Sequence, residues 1–228
     1  GEATAWIAHE FKNSLVSIKP FVELFPRKHR DKKFVDTFSK LVPKEIERWE
    51  RMLKELSDFS SHYELTLVKT NVKDLIENIL EIMSEKFIER GINVRRDFRD
   101  GYFTVNADPE RLREAFMNMV INAINAMPDG GSFIVSIGVI DSTGLNRSRY
   151  IEVRINDTGR GISQEVQKKL FEPFHTTHSG GMGLGLAISR RIVERHGGNI
   201  DVESQQDIGT TFIITLPIEV SYPQSRNL

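Results

Sequence analysis

Across 228 residues, 31 lysines and arginines stand against 32 aspartates and glutamates, so the chain is nearly neutral and lacks the basic excess that nucleic acid or an anionic membrane surface attracts. Cysteine is absent, which excludes disulfides, thiolate metal sites and cysteine nucleophiles and agrees with a reducing compartment. No apolar run of about 18 residues and no secretory leader appears, so the expectation is a soluble, cytoplasmic piece with no membrane contact of its own. It begins abruptly inside a helical pattern, which predicts a fragment of something longer.

The apolar residues Ala8, Phe11, Leu15, Ile18, Val22 and Phe25 recur every three or four positions, a single stripe of one helix. A basic break at 26–30 follows, and the spacing resumes through Val35, Phe38, Val42, Trp49, Met52, Leu56 and Phe59. Two helices and a short connection predict a hairpin, and a stripe this apolar predicts pairing of two hairpins into a four-helix bundle, hence a homodimer. Pro20 and Pro43 each remove a backbone donor and predict bends near 16–20 and 39–43. The expected domains are a hairpin at 1–62, a second domain at 63–220 and a tail at 221–228.

Beyond a linker expected at 57–66, helical and strand-like stretches alternate. Asn71 predicts the cap of a helix reaching Arg90, ended by Gly91, with strands at 93–97 and 102–105 after it. Asp108-Pro109-Glu110 is a strong start signal for a helix to Met127. Strands at 132–140 and 150–156, a short helix at 164–170, a helix at 184–195 closed by Gly197-Gly198, and strands at 199–204 and 210–217 complete an α/β sandwich, with helices on one face of a mixed, mostly antiparallel sheet. The fold class is α+β.

Asn118 and Asn122 lie four apart on one helix face, where neutral amide oxygens could hold a hard cation already bridging phosphates. The glycines ahead of Leu184 free backbone N–H groups to approach phosphate at a helix start. Each signal alone is weak.

Order and spacing make the case, because five segments in sequence resemble the boxes of the sensor histidine kinases of two-component signalling. His9-Glu10-Phe11-Lys12-Asn13-Ser14-Leu15 looks like the H box, and Asn118-Met119-Val120-Ile121-Asn122-Ala123 is similar to the N box. Asp157-Thr158-Gly159-Arg160-Gly161 resembles the G1 box, Phe171-Glu172-Pro173-Phe174 the F box and Gly181-Met182-Gly183-Leu184-Gly185-Leu186 the G2 box. Gly209-Thr210-Thr211-Phe212 resembles a trailing glycine motif. The resemblance implies a Bergerat-type ATP-binding domain after the hairpin, with ATP and Mg²⁺ bound by Asn118, Asn122, Asp157, Gly159, Gly161, Gly181, Gly183, Leu184, Gly185 and Thr211, Asn122 being the metal ligand.

It also implies that His9 takes the γ-phosphoryl group, that neighbouring Glu10 fixes its tautomer and accepts positive charge, and that the phosphoryl group passes to the receiver domain of a response regulator. Asn13, four residues after His9, implies a phosphatase activity toward that regulator. Three positions depart from the family pattern: Ser14 stands where proline is common, His178 where lysine is common, and Asn125 where a longer basic or polar side chain is common. Two other readings keep the fold: a scaffold dimer that binds no nucleotide, and a chaperone-like or mismatch-repair-like ATPase using Glu114 as its base.

Overall fold

The computed structural model describes residues 2–60, 64–141, 149–176 and 182–218; the side chains of 2–11, 13, 14, 51, 54, 55 and 58–60 lie outside the described set. Two compact units make up the chain, one formed by Gly1–His62 with Glu172–Leu184, the other by Tyr63–Phe171 with Gly185–Leu228.

The first unit contains helices α1 (Glu2–Lys28) and α2 (Lys32–Ser60). Their facing aromatics zip the turn end of the hairpin, Phe21 against Phe34 at 5.7 Å and Phe25 against Phe38 at 4.8 Å between ring centroids. The turn is short because Asp31 caps α2, its carboxylate accepting the N–H groups of Lys33 and Phe34 at 3.0 and 3.3 Å. The sequence pattern breaks α1 at Pro26, whereas the helix continues through it to Lys28. Proline's missing donor costs one backbone bond, which the aromatic packing on either side offsets. Ile18 and Met52 are buried, while Leu15, Val16, Val22, Ile46 and Leu53 remain exposed on this single chain.

The second unit begins with β1 (Val68–Asn71), paired antiparallel with β3 (Thr104–Ala107). Its main sheet has the order β2-β4-β5-β7-β6, from β2 (Ile92–Phe98), β4 (Gly131–Asp141), β5 (Arg149–Asp157), β6 (Asn199–Gln205) and β7 (Gly209–Pro217). Only β2 and β4 run parallel; the other neighbours are antiparallel. Alternation explains the inward face: Phe133, Val135 and Ile137 of β4, Ile151, Val153 and Ile155 of β5, and Phe212, Ile214 and Leu216 of β7 are all buried. Against them lie α3 (Val72–Ile82), α5 (Pro109–Ala126) and α7 (Gly185–Arg195), through residues such as Ile79, Phe116, Met119 and Ile192. Each such side chain contributes about 1.5 to 3 kcal/mol of burial. The short helix α6 (Gln164–Gln167) follows β5.

Two elements differ from the sequence pattern. The single helix expected from 71 to 90 is divided at Met83 into α3 and α4 (Ser84–Glu89). The redirected second piece sets Phe87 against Phe133 at 5.1 Å, so both stay buried. Strand β1 carries no readable alternation, since only Thr70 of its four residues is buried.

Asp108 holds α5 in place. Its carboxylate accepts the N–H groups of Glu110, Arg111 and Thr66, each at 3.1 Å, while its own N–H donates to Nε2 of His196 at 2.9 Å. Burial works to raise its pKa, but the three backbone donors and nearby His196 outweigh it and hold the carboxyl below its ordinary value. A lowered carboxyl pKa contributes stability that is complete above the unfolded-chain value of 3.8 and is lost as pH falls through the folded value. Asp108→Ala is therefore expected to lower unfolding stability at pH 7 by about 1 to 2 kcal/mol, read from urea titrations, with a smaller deficit at pH 3.

Candidate functional site

Asp157 ends β5 on the sheet's inward face and is only 2% exposed, although no lysine or arginine is among the groups that shift it. Oδ1 accepts the Gly159 N–H at 2.9 Å. Burial pushes the carboxyl up from 3.8 to about 6, and the N–H groups of Gly159 and Thr210 pull it part of the way back. A buried carboxylate resting on backbone donors alone costs the fold stability, which marks a place kept for a ligand with a hydrogen to donate.

The turn after Asp157 admits only glycine at two places. A Cβ on Gly159 would stand 2.6 Å from the Ala126 carbonyl oxygen, and Gly161, at φ +61°, would drive one onto the Gln205 carbonyl. The Arg160 N–H donates to that same Ala126 carbonyl at 3.1 Å, so this turn is clasped to the C-terminal end of α5. Asn122, half-buried, lies one helical turn before Ala126, which brings the asparagine face of α5 to the Asp157 turn.

Asn118, one turn earlier, is tied to the start of α7. Its Nδ2 donates to the Gly185 carbonyl at 3.2 Å and to Ser189 Oγ at 3.3 Å. Gly185 is the first residue of α7, and a Cβ there would meet the Asn118 amide at 3.6 Å. Gly183 has φ +68°, and a Cβ on it would strike the His175 backbone at 2.6 Å; Leu184 is fully buried. Gly181 lies outside the described residues. So do the side chains of His9, Glu10 and Asn13, whose backbone belongs to α1.

The register pairs Asp157 with Thr210 and Asn156 with Thr211, so Thr211 is on the opposite face, its Oγ1 accepting from Asn156 Nδ2 at 2.8 Å. Thr210, 4% exposed, shares the face of Asp157. Sequence reading passes over it and over Ser189. The apolar alternation Phe212, Ile214, Leu216 is the signal that points Thr210 inward. Phe171 is anchored by the Arg190 guanidinium, 5.2 Å from its ring centroid.

Among the described residues no group of three histidines, cysteines or carboxylates could cage a metal. Two asparagine amides offer hard neutral oxygens instead, which would suit a Mg²⁺ ion arriving with phosphates. Glu114 is held by Arg111 at 2.9 Å, one turn from Asn118, which ties up the carboxylate a hydrolytic ATPase would use as base.

A family model described as Histidine kinase-, DNA gyrase B-, and HSP90-like ATPase matches residues 107–220. The chain is 30% identical over 227 residues to Sporulation kinase E of Bacillus subtilis, covering all of this chain and 30% of that protein. It is 32% identical over 221 residues to Sensor histidine kinase ZraS of Escherichia coli, covering 97% of this chain and 46% of that one. It thus spans less than half the length of both curated relatives. Among solved structures, histidine kinase ThkA in complex with response regulator protein TrrA superposes with a TM-score of 0.79 at 28% identity, over 96% of this chain and 62% of that one. No helix among the described residues is long and apolar enough to cross a membrane.

Proposed function

Because the chain belongs to the histidine kinase-, DNA gyrase B- and HSP90-like ATPase family and is homologous to sensor histidine kinases, we propose that it is a protein histidine kinase core that phosphorylates itself on His9 from ATP and passes the phosphoryl group to a receiver aspartate. The observation that carries this reading is the buried Asp157 carboxylate. It accepts the adenine 6-amino hydrogen; guanine offers an oxygen there, lone pair against lone pair, so ATP is preferred to GTP.

Asn122, and Asn118 beside it, would hold a Mg²⁺ ion, which would supply neutralisation of the triphosphate charge. Gly183 and Gly185 let backbone N–H groups near the phosphates at the start of α7. In the hairpin, residues 1–62, a neutral His9 ring nitrogen attacks the γ-phosphorus. The N–P bond forms as the bond from phosphorus to the β,γ-bridging oxygen breaks, ADP leaves, and Glu10 accepts the proton from the other ring nitrogen. Charge neutralisation and in-line alignment carry most of the rate. The exposed apolar residues of α1 and α2 support a homodimer through the hairpin, and the complex formed by ThkA supports a receiver domain as partner. A scaffold without nucleotide would have no use for the cost of burying Asp157.

Asn13 lies four residues beyond His9, a spacing that makes helix residues neighbours, and an amide at that spacing would align a water with the phosphoryl-aspartate of a docked receiver. Asn13→Ala is expected to keep autophosphorylation while slowing regulator dephosphorylation by roughly 10-fold or more. The test mixes this variant with purified phospho-receiver and ADP and follows loss of phosphate; dephosphorylation at wild-type speed removes Asn13 from the reaction.

A further inference from the structure

The Ser189 side chain is fully buried in α7 and sits among three partners: the Gly185 carbonyl at 2.8 Å, the Ala115 carbonyl at 3.3 Å and Asn118 Nδ2 at 3.3 Å. Both carbonyls can only accept. The single hydroxyl hydrogen of Ser189 therefore goes to one of them, Gly185 being nearer, and the oxygen keeps its lone pairs for the Asn118 amide. The Gly185 carbonyl oxygen, 3.2 Å from the amide, also can only accept, so the atom of Asn118 that faces it must be a donor. That requirement fixes the amide's orientation: the –NH₂ group must face α7, with both hydrogens engaged, and Oδ1 must be the free end. Among the described residues Oδ1 accepts no hydrogen bond. A flipped amide would set oxygen against the oxygen of Gly185, and rotation away would strand the buried hydroxyl's acceptor side.

We infer that Ser189 is a positioning residue for the nucleotide site, locking the Asn118 amide so that its oxygen is presented to the metal-bound phosphates. The inference rests on the reading of Asn118 as a ligand given above. Ser189 touches neither nucleotide nor metal in this scheme; it acts through Asn118 alone. Removing its hydroxyl leaves –NH₂ held at one point rather than two, and the amide then samples orientations in which nitrogen replaces oxygen at the site. Binding that depends on Asn118 weakens, whereas recognition of the base does not.

The experiment is a double-mutant cycle on nucleotide affinity, measured by calorimetry for ATP with Mg²⁺ and for adenosine without metal, using wild type, Ser189→Ala, Asn118→Ala and the double variant. Ser189→Ala is expected to weaken Mg²⁺-ATP binding about three- to tenfold and to leave adenosine binding unchanged. Its effect should vanish in the Asn118→Ala background, because nothing remains to orient. Ser189→Cys, close in volume and with a weaker acceptor, should fall between wild type and alanine, and it carries the comparison if the alanine variant folds poorly. Equal losses for Mg²⁺-ATP and adenosine, or a Ser189 effect that persists without the Asn118 amide, overturns the inference and leaves Ser189 a packing residue. If Asn118→Ala alone leaves Mg²⁺-ATP binding intact, it is the reading of Asn118 as a ligand that fails.

Discussion

His9→Gln is expected to carry no phosphoryl label after incubation with ATP, while binding ATP as tightly as the wild type. Glutamine keeps the helix and much of the side chain's bulk but offers no ring nitrogen to attack phosphorus, so the loss is total rather than graded. Nucleotide recognition is unaffected because every residue proposed to hold the base belongs to the stretch after residue 62. The measurement pairs autoradiography of the variant with calorimetric titration of ATP. Label persisting on His9→Gln would move the acceptor to another side chain, and a loss of ATP binding would mean that the substitution had damaged more than the acceptor.

Asp157→Ala is expected to weaken ATP binding by roughly 30- to 150-fold, the result of leaving about 2 to 3 kcal/mol of charge-assisted hydrogen bonding unmade at the base. The wild-type protein should show the same dependence through pH. With the carboxyl pushed up to about 6, ATP affinity falls as pH drops below that value, by at most tenfold per unit, because the proton competes with the adenine 6-amino hydrogen. The linkage to stability has the opposite sign from that of Asp108. A raised carboxyl pKa means that the folded domain binds the proton more tightly than the unfolded chain does, so ionised Asp157 costs stability above about pH 6 and the cost is relieved as pH falls toward 3.8. Calorimetric titrations at pH 5, 6 and 7 check the binding arm; an affinity unchanged between pH 7 and 5 would contradict the role given to this carboxylate.

Most of the fold is legible in the sequence because its signals are strong and local. Asp108-Pro109 starts α5 where cap and proline coincide, and the alternation in β4, β5 and β7 separates the buried face from the open one. What is illegible is set by contacts distant in sequence. The break at Met83 depends on Phe133, fifty residues away, and β1 exists because Ala107 and its neighbours offer a partner edge, not because four mostly exposed residues prefer a strand. The site divides in the same way. Asp157, Gly159, Gly161 and the asparagine pair stand out because glycines and polar residues interrupt apolar elements. Which of Thr210 and Thr211 shares the face of Asp157 needs the strand register, and the packing of Ser189 needs the closeness of α5 to α7, neither of which a motif records.

Transfer of phosphorus to a histidine nitrogen of this chain is read directly by the stability of the resulting bond. The protein is incubated with γ-labelled ATP and Mg²⁺, denatured, and divided between acid and alkali. A phosphoramidate on His9 predicts label that survives alkali and is lost in acid. Label stable in acid, as on a hydroxyl side chain, or ATP consumed with no label on the protein, would contradict the account.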